Sequence, residues 1–343
     1  MPLSTKLARG LQCDAPRQIG LALPLDPATS SLALWLAEAG LEVTTLNASS
    51  SLRALDLIAA LSEAGVRHHS EKAAFLGSDL DIILDTDGSL VAEFDRPLVG
   101  GTLCSPRVAA EVANVTTRVV HIAAARFIEN SVLSHGIGQA CVSGLLDITN
   151  LQIAGAEVLV LGYEAIGEGV ARYANAYGAR VIVCEDDPIR AVKARMDGHL
   201  VMAIDEALPK TRVVFNTRQE GDGLNLGQIE SLPNGAFLCS AISDEGVSPF
   251  AGLQSLAPGR EIRDFVTQHD LPSGRDVKLV CGGMALHNKA ARGLPLEFAD
   301  ILMAAQLWSI AQFINPECSL PPGLQPLSSH IEEALAEAFL DIG

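Results

Sequence analysis

Few groups in this chain commit it to a compartment or to a highly charged ligand. Its seven cysteines (13, 104, 141, 184, 239, 281 and 318) stand singly, with no CxxC pair. That pattern offers neither a disulfide framework nor a zinc site, and reads as reduced thiols in a cytoplasmic protein. No apolar run approaches a membrane span, and the run from Gly20 to Leu25 is too short for the core of a secretory signal. Basic residues are in deficit: 24 Lys and Arg against 41 Asp and Glu leave a net charge of −17. Such a balance argues against nucleic acid or anionic membrane as a partner. There is no nucleophile elbow, P-loop, metal-ligand spacing, repeat or low-complexity stretch.

What is present is the material for two ordinary domains, with 343 residues that are 48% hydrophobic and 19% charged. The clearest stretch runs from Glu157 to Asp187. Val158 to Leu161 form an apolar run of the kind buried on both faces of a sheet. A glycine turn, Gly162-Tyr163-Glu164-Ala165-Ile166-Gly167, leads into an amphipathic helix that Gly178 closes. Arg180 to Cys184 form a second strand, and Glu185 stands at its carboxyl end. Strand, turn, helix, strand and acid in this order make the layout of a dinucleotide site. Gly162 permits the sharp turn, Gly167 lets helix and sheet approach, and the helix N-terminus from Ile166 offers N–H groups to a pyrophosphate. Glu185 is suited to the ribose hydroxyls of NAD in preference to NADP. Glu164 breaks the pattern. It stands where glycine normally lets phosphates touch the backbone, and its carboxylate repels them. Arg190 is available either to pair with Glu164 or to lie near the adenosine ribose.

Strands and helices alternate on both sides of this stretch. Strands are expected at Gln18–Leu23, Leu41–Leu46, Asp81–Leu84 and Arg118–Ala123, and helices at Pro27–Ala39, with Asp26 as N-cap, and at Leu52–Glu63. Residues 1–17 show no clear periodicity and read as a loose or partner-contacting arm. A helix over His135–Asn150 leads into the central unit. Further strands follow at His199–Ala203, Arg212–Asn216, Ala236–Ser240 and Val277–Cys281, enough to complete a doubly wound sheet. Pro295–Phe313 and His330–Leu340 read as helices returning to the first domain. The expected fold is α/β, a Rossmann-type doubly wound parallel sheet (135–292) inserted in a second α/β substrate-type domain (1–134 and 293–343).

Several stretches resemble the S-adenosylhomocysteine hydrolase (adenosylhomocysteinase) family. HGIGQACVSGLLDITNLQIAG (135–155) is similar to the family's YGxGQS…DGIxRATNxxIAG, and 158–188 to its VVVAGYGxVGxGxAxxxxxxGAxVIxxExDP. MDGHLVMAIDEA (196–207) resembles its MEGYxVxxxDEA, and PLSSHIEEALAEAFL (326–340) its LPKxLDEAVAxxHL. The likeness runs more faintly from about Gln18 onward. It implies tightly bound NAD that oxidises a ribose 3′-hydroxyl, so that homocysteine can be eliminated and water added. It also implies Thr217 as a contact on the nicotinamide side. The family's catalytic side chains, however, fall at residues that cannot do their work. Its substrate-domain histidine falls at Pro24, its LDDGGD aspartate at Thr86 beside Asp87, and its SEET glutamate near Ser105. Its lysine and Asp-Asn pair fall at Ile128, Val132 and Leu133, and two histidines at Ser243 and Leu294. Its lysine- and tyrosine-bearing C-terminal tail has no counterpart before Gly343, which with the apolar helix near 296–313 suggests a dimer.

His287 and Lys289, just past the last expected strand, are the remaining acid–base candidates. A solvated loop is the plainer reading of them, as a packing histidine is of His135, surface of His68 and His69, and an Asx turn of Asp85 and Asp87. The candidate cofactor residues are Gly162, Glu164, Ile166, Gly167, Glu185, Arg190 and Thr217, with NAD as cofactor and no metal. An alternative is a retained scaffold without its ligand. Three functions are expected in descending order: an NAD-dependent oxidoreductase or lyase-type enzyme on a small, nucleoside-like molecule; a non-catalytic nucleotide- or partner-binding relative; and a divergent adenosylhomocysteinase. A homodimer or other homo-oligomer is expected.

Overall fold

The computed structural model describes residues 1–11, 17–46, 54–95, 98–218, 223–242, 248–289, 293–315 and 317–341. The chain divides into two compact units, Met1–Val132 with Leu296–Gly343, and Leu133–Pro295. Their boundary falls inside one helical run, made of the helix Arg126–Ile128, a π-helical stretch Glu129–Ile137 and the helix Gly138–Thr149.

The first unit is built on a parallel sheet of β1 (Gln18–Ala22), β2 (Glu42–Leu46), β3 (Arg67–His69), β4 (Ile82–Asp85), β5 (Gly100–Leu103) and β6 (Arg118–His121), joined by β15 (Gly323–Pro326) from the far end of the chain. The strand order is β15-β6-β5-β4-β1-β2-β3. Ile19, Leu21, Ile82, Ile83 and Leu84 are buried, as expected for inner strands covered on both faces. The helix Pro27–Glu38 starts in a capping box, with Asp26 accepting from Thr29 N at 2.8 Å and the Asp26 N–H donating back to Thr29 Oγ1 at 2.9 Å. The long helix Leu296–Ile314 buries residues on nearly all sides, Met303, Leu307, Ile310 and Phe313 among them, so its apolar surface is used within this unit rather than kept for a partner.

The second unit holds β7 (Glu157–Leu161), β8 (Arg180–Cys184), β9 (Leu200–Val201), β10 (Val213–Asn216), β11 (Ala236–Ser240), β12 (Arg260–Arg263), β13 (Val266–Asp270) and β14 (Asp276–Val280). Their order is β12-β13-β14-β11-β10-β7-β8-β9, parallel from β14 to β9 and antiparallel at the β12–β13–β14 edge. The chain runs outward in one direction from β7 through β8 and β9, then returns to β7's other side as β10. This reversal beside β7 is the point where open α/β sheets bind ligands at the carboxyl ends of their strands.

Several expectations need correction. Residues Pro2–Gly10 are a helix, not a loose arm. Asp300, on the long helix and 2% exposed, accepts from the backbone N–H groups of Leu3 at 2.9 Å and Ser4 at 2.8 Å, and from the Ser4 hydroxyl. It caps that helix from nearly 300 residues away. The strands β3, β5, β12, β13 and β15 add to those expected, being polar, glycine-rich or proline-bearing. The strand expected over His199–Ala203 shrinks to two residues. Among the described residues, no helix is long and apolar enough to cross a membrane.

Replacing Asp300 with Ala leaves the part-buried Leu3 N–H and the buried Ser4 N–H unpaired and is expected to cost about 3 kcal/mol. Urea unfolding measures the loss, and faster proteolysis around Gly10 should accompany it. A loss below about 1 kcal/mol, with the segment still protected, would show that Asp300 does not hold the helix.

Candidate functional site

The site is set by how closely backbones meet at the end of β7. Val158 to Leu161 are fully buried, which fixes the strand end, and Gly162 follows at φ +93°. The helix Ala165–Ala176 begins three residues later. A Cβ on Gly167 would collide with the Gly162 carbonyl oxygen, and one on Gly169 with the Ser134 carbonyl oxygen. A Cβ on Gly138 would lie 2.5 Å from the Gly169 carbonyl carbon. Glycine at these positions is what lets the helix press on both the turn and the helix Gly138–Thr149. Thr217, just past β10 and 2% exposed, donates its hydroxyl to the carbonyls of Leu161 at 2.8 Å and Gly162 at 3.1 Å. Its side chain therefore braces the turn from the neighbouring strand.

Glu185 is anchored at the end of β8. Its carboxylate accepts from Tyr163 N at 2.6 Å and Asp187 N at 2.8 Å, and its side chain is 4% exposed. Burial alone would raise its pKa; the two backbone N–H bonds and Arg190 outweigh that and hold it below the usual range. Arg190 lies in the first turn of the helix Pro188–Met196, whose N-cap Asp187 accepts from Ile189 N and Arg190 N. A cation there faces the positive end of the helix dipole, at a cost of about 0.3–1 kcal/mol. Two carboxylates offset it. Arg190 Nη1 donates to Glu164 Oε1 at 2.9 Å and Nη2 to Glu185 Oε1 at 3.3 Å. Its Nε comes within 3.3 Å of Glu185 Oε2 without hydrogen-bond alignment.

A helix N-terminus beside an anchored acid is the arrangement a dinucleotide would need. Glu164 is the N-cap of the helix Ala165–Ala176, yet its side chain makes no bond to the turn it caps, being drawn toward Arg190. It therefore leaves the first-turn N–H groups, including that of Ile166, to a ligand. An uncompensated carboxylate about 4 Å from a phosphate would cost about 4 kcal/mol at an effective dielectric constant near 20. Arg190 is the nearby charge that reduces this.

A second group of polar side chains, which the sequence reading does not single out, supports the same turn. Tyr163 donates its hydroxyl to Asp197 at 2.9 Å, and Lys193 stands 5.3 Å from the centre of its ring. Lys193 also bonds Glu168 at 2.6 Å and Asp197 at 3.1 Å, and Arg172 bonds Glu168. The i,i+4 spacings of Glu168 with Arg172 and Lys193 with Asp197 are the available signal.

His287 is 7% exposed, with Nδ1 3.7 Å from the Cys141 sulfur, so a solvated loop does not describe it. Burial pushes its pKa down to about 4, and the ring is neutral at ordinary pH. Lys289 ends the helix Leu286–Lys289; its side chain, like Ser243, lies outside the described residues. His135 is half-buried, Nδ1 3.3 Å from the Tyr173 hydroxyl and Nε2 3.2 Å from Arg172. In the first unit, Asp87 accepts from Ser89 N in a turn, while Asp85 accepts from Leu90 N and Val91 N at the start of the helix Ser89–Glu93. Both read as structural. His68 and His69 sit in the edge strand β3, bonded to Thr45 and Ser78. Among the described residues, no group of three or more His, Cys, Asp or Glu could hold a metal ion.

Comparison with known proteins places relatives beside this chain. The sequence pattern described as S-adenosyl-L-homocysteine hydrolase, NAD binding domain, matches residues 134–293. An adenosylhomocysteinase of Thermotoga maritima is 28% identical over 369 residues, covering 99% of this chain and 91% of that protein. An S-inosyl-L-homocysteine hydrolase of Methanopyrus kandleri is 27% identical, covering 94% and 82%. Among solved structures, a dipicolinate synthase chain from Bacillus halodurans matches with a TM-score of 0.52 at 15% identity, covering 88% of this chain and 99% of that one. That likeness extends to the fold alone. The cofactor to which the second unit corresponds is NAD.

The buried ring of His287 makes a pH prediction. Its pKa falls from the usual 6.5 to about 4 on folding, so the unfolded chain binds more protons between those values. Stability is then greatest above the unfolded value and is lost as pH falls from about 6.5 toward 4, by about 3 kcal/mol at most. Urea midpoints measured from pH 7 to 4 should fall further for the wild type than for His287→Asn; parallel curves would mean the ring is not buried neutral.

Proposed function

Because the chain belongs to the S-adenosyl-L-homocysteine hydrolase family, we propose that it is an NAD(H)-dependent oxidoreductase or lyase-type enzyme acting on a small, nucleoside-like molecule, and that it does not hydrolyse S-adenosylhomocysteine. The observation that carries this reading is the helix N-terminus left uncapped by Glu164 beside the anchored Glu185. Gly162 and the first-turn N–H groups from Ile166 would receive the pyrophosphate, Gly167 and Thr217 keep the turn in shape, and Glu185 would accept the ribose hydroxyls. NAD bound there supplies a reversible acceptor of hydride.

The case against S-adenosylhomocysteine hydrolysis is chemical. Taking protons from a ribose hydroxyl and from the neighbouring carbon needs bases. Ile128, Val132 and Leu133, which fall where relatives carry lysine, aspartate and asparagine, are apolar and at most 4% exposed. His287 and Lys289 are the proposed acid–base pair. His287, held neutral by burial, suits a hydrogen-bonding part, which leaves proton transfer to Lys289. The same burial favours a second reading, a non-catalytic family member that binds nucleotide or a protein partner. The protein is further proposed to be cytoplasmic and to work as a homodimer or other homo-oligomer.

Purified protein denatured and run on a nucleotide column should release NAD(H) near one per chain; none released would favour the second reading. Incubation with S-adenosylhomocysteine and a thiol reagent should give no homocysteine. Turnover at ordinary enzyme rates would overturn the proposed chemistry. Light scattering should give at least the mass of two chains, and a monomer would remove the oligomer.

A further inference from the structure

Two features of the turn have no use in a plain glycine-rich dinucleotide site, and they touch each other. One is the carboxylate of Glu164, 37% exposed, in the turn itself. The other is Arg190, placed at the positive end of a helix, where a cation is disfavoured unless something nearby offsets it. Its guanidinium joins the carboxylate in the turn to the one at the end of β8. A pyrophosphate arriving without Arg190 would meet the Glu164 carboxylate uncompensated, beside a Glu185 that keeps its two backbone N–H bonds. With it, one positive charge is shared between them.

We propose that Arg190 is a positioning residue that makes Glu164 tolerable in the dinucleotide turn: it draws the Glu164 carboxylate away from the helix N-terminus and offsets its charge, so dinucleotide affinity depends on Arg190 only while Glu164 is present. This rests on the reading of the unit as an NAD site. The pair replaces a bare backbone contact by a charge-balanced one, which makes affinity sensitive to ionic strength in a way a glycine turn is not. Screening by salt weakens the repulsion that Arg190 normally offsets, so the effect of losing Arg190 should shrink as salt rises.

The test is a double-mutant cycle on the full chain freed of nucleotide, with NAD⁺ binding measured by titration calorimetry. Arg190→Gln should weaken binding at least tenfold at 50 mM salt, and by a visibly smaller factor at 500 mM. Glu164→Gly should bind as well as the wild type or better. Arg190→Gln placed on Glu164→Gly should change affinity by less than about threefold, and Arg190→Lys, which keeps the charge but not the fork, should recover part of the loss. Thermal melting of each variant without ligand separates a folding defect from a binding one. An unchanged or tighter Arg190→Gln, or the same loss with and without Glu164, overturns the proposal. If only Glu164→Gly binds NAD⁺, the domain reading stands and compensation by Arg190 falls. If neither it nor the wild type binds, the domain reading fails and takes the proposal with it.

Discussion

Direct backbone contact, at positions where no side chain fits, is the constraint from which the rest of the second unit follows. Gly138, Gly167 and Gly169 let two helices and the turn after β7 approach until main-chain atoms touch. Interiors packed to this density do not yield gradually, so the helix N-terminus is fixed with respect to the strand ends. Thr217 then ties the turn to β10, and Glu185 ties it to β8 through the Tyr163 N–H. Three neighbouring strands thereby agree on the place of one short loop.

On that rigid frame the chemistry is unusual in its charges rather than its shape. A carboxylate occupies a position that ordinarily has no side chain, and Arg190 answers it. One turn into the helix Ala165–Ala176, Glu168 is answered by Arg172 and Lys193, and at the end of the helix Pro188–Met196 Asp197 is answered by Lys193 and Tyr163. The outcome is a nucleotide-type scaffold whose acids are locally paired despite a chain charge of −17. Ile128 and Val132, where the family resemblance implies proton-moving side chains, are part of the hydrophobic interior.

The central unit is legible in the sequence because each of its signals is local. An apolar run, a glycine turn, an amphipathic helix and an acid at a strand end all lie within about thirty residues, and each has its own physical cause. The strands that the sequence does not announce lack such causes. β3 is Arg-His-His, β5 starts with two glycines, β12 is exposed throughout, and β15 ends in proline; they are strands because a neighbour pairs with them. The N-terminal helix is hidden for another reason: it is only nine residues long, and its anchor, Asp300, is remote in sequence. At the site, the link of Arg190 to Glu164 is readable as one of two options because both lie near the turn. The burial of His287 is not, since a histidine after a strand end looks the same whether it faces solvent or packs on Cys141.

The first unit is assembled from both ends of the chain, and this bears on how the protein is made. β6 is complete by His121, but its neighbour β15 begins only at Gly323, and the long helix that covers β5 and caps the N-terminal helix starts at Leu296. On the ribosome, the second unit, continuous in sequence, has all its strands available while the first still exposes part of one face and one edge of its sheet. The early segments must therefore wait, partly uncovered, through the synthesis of some 160 intervening residues (Leu133–Pro295). Chaperone demand and losses during expression should be concentrated in that interval.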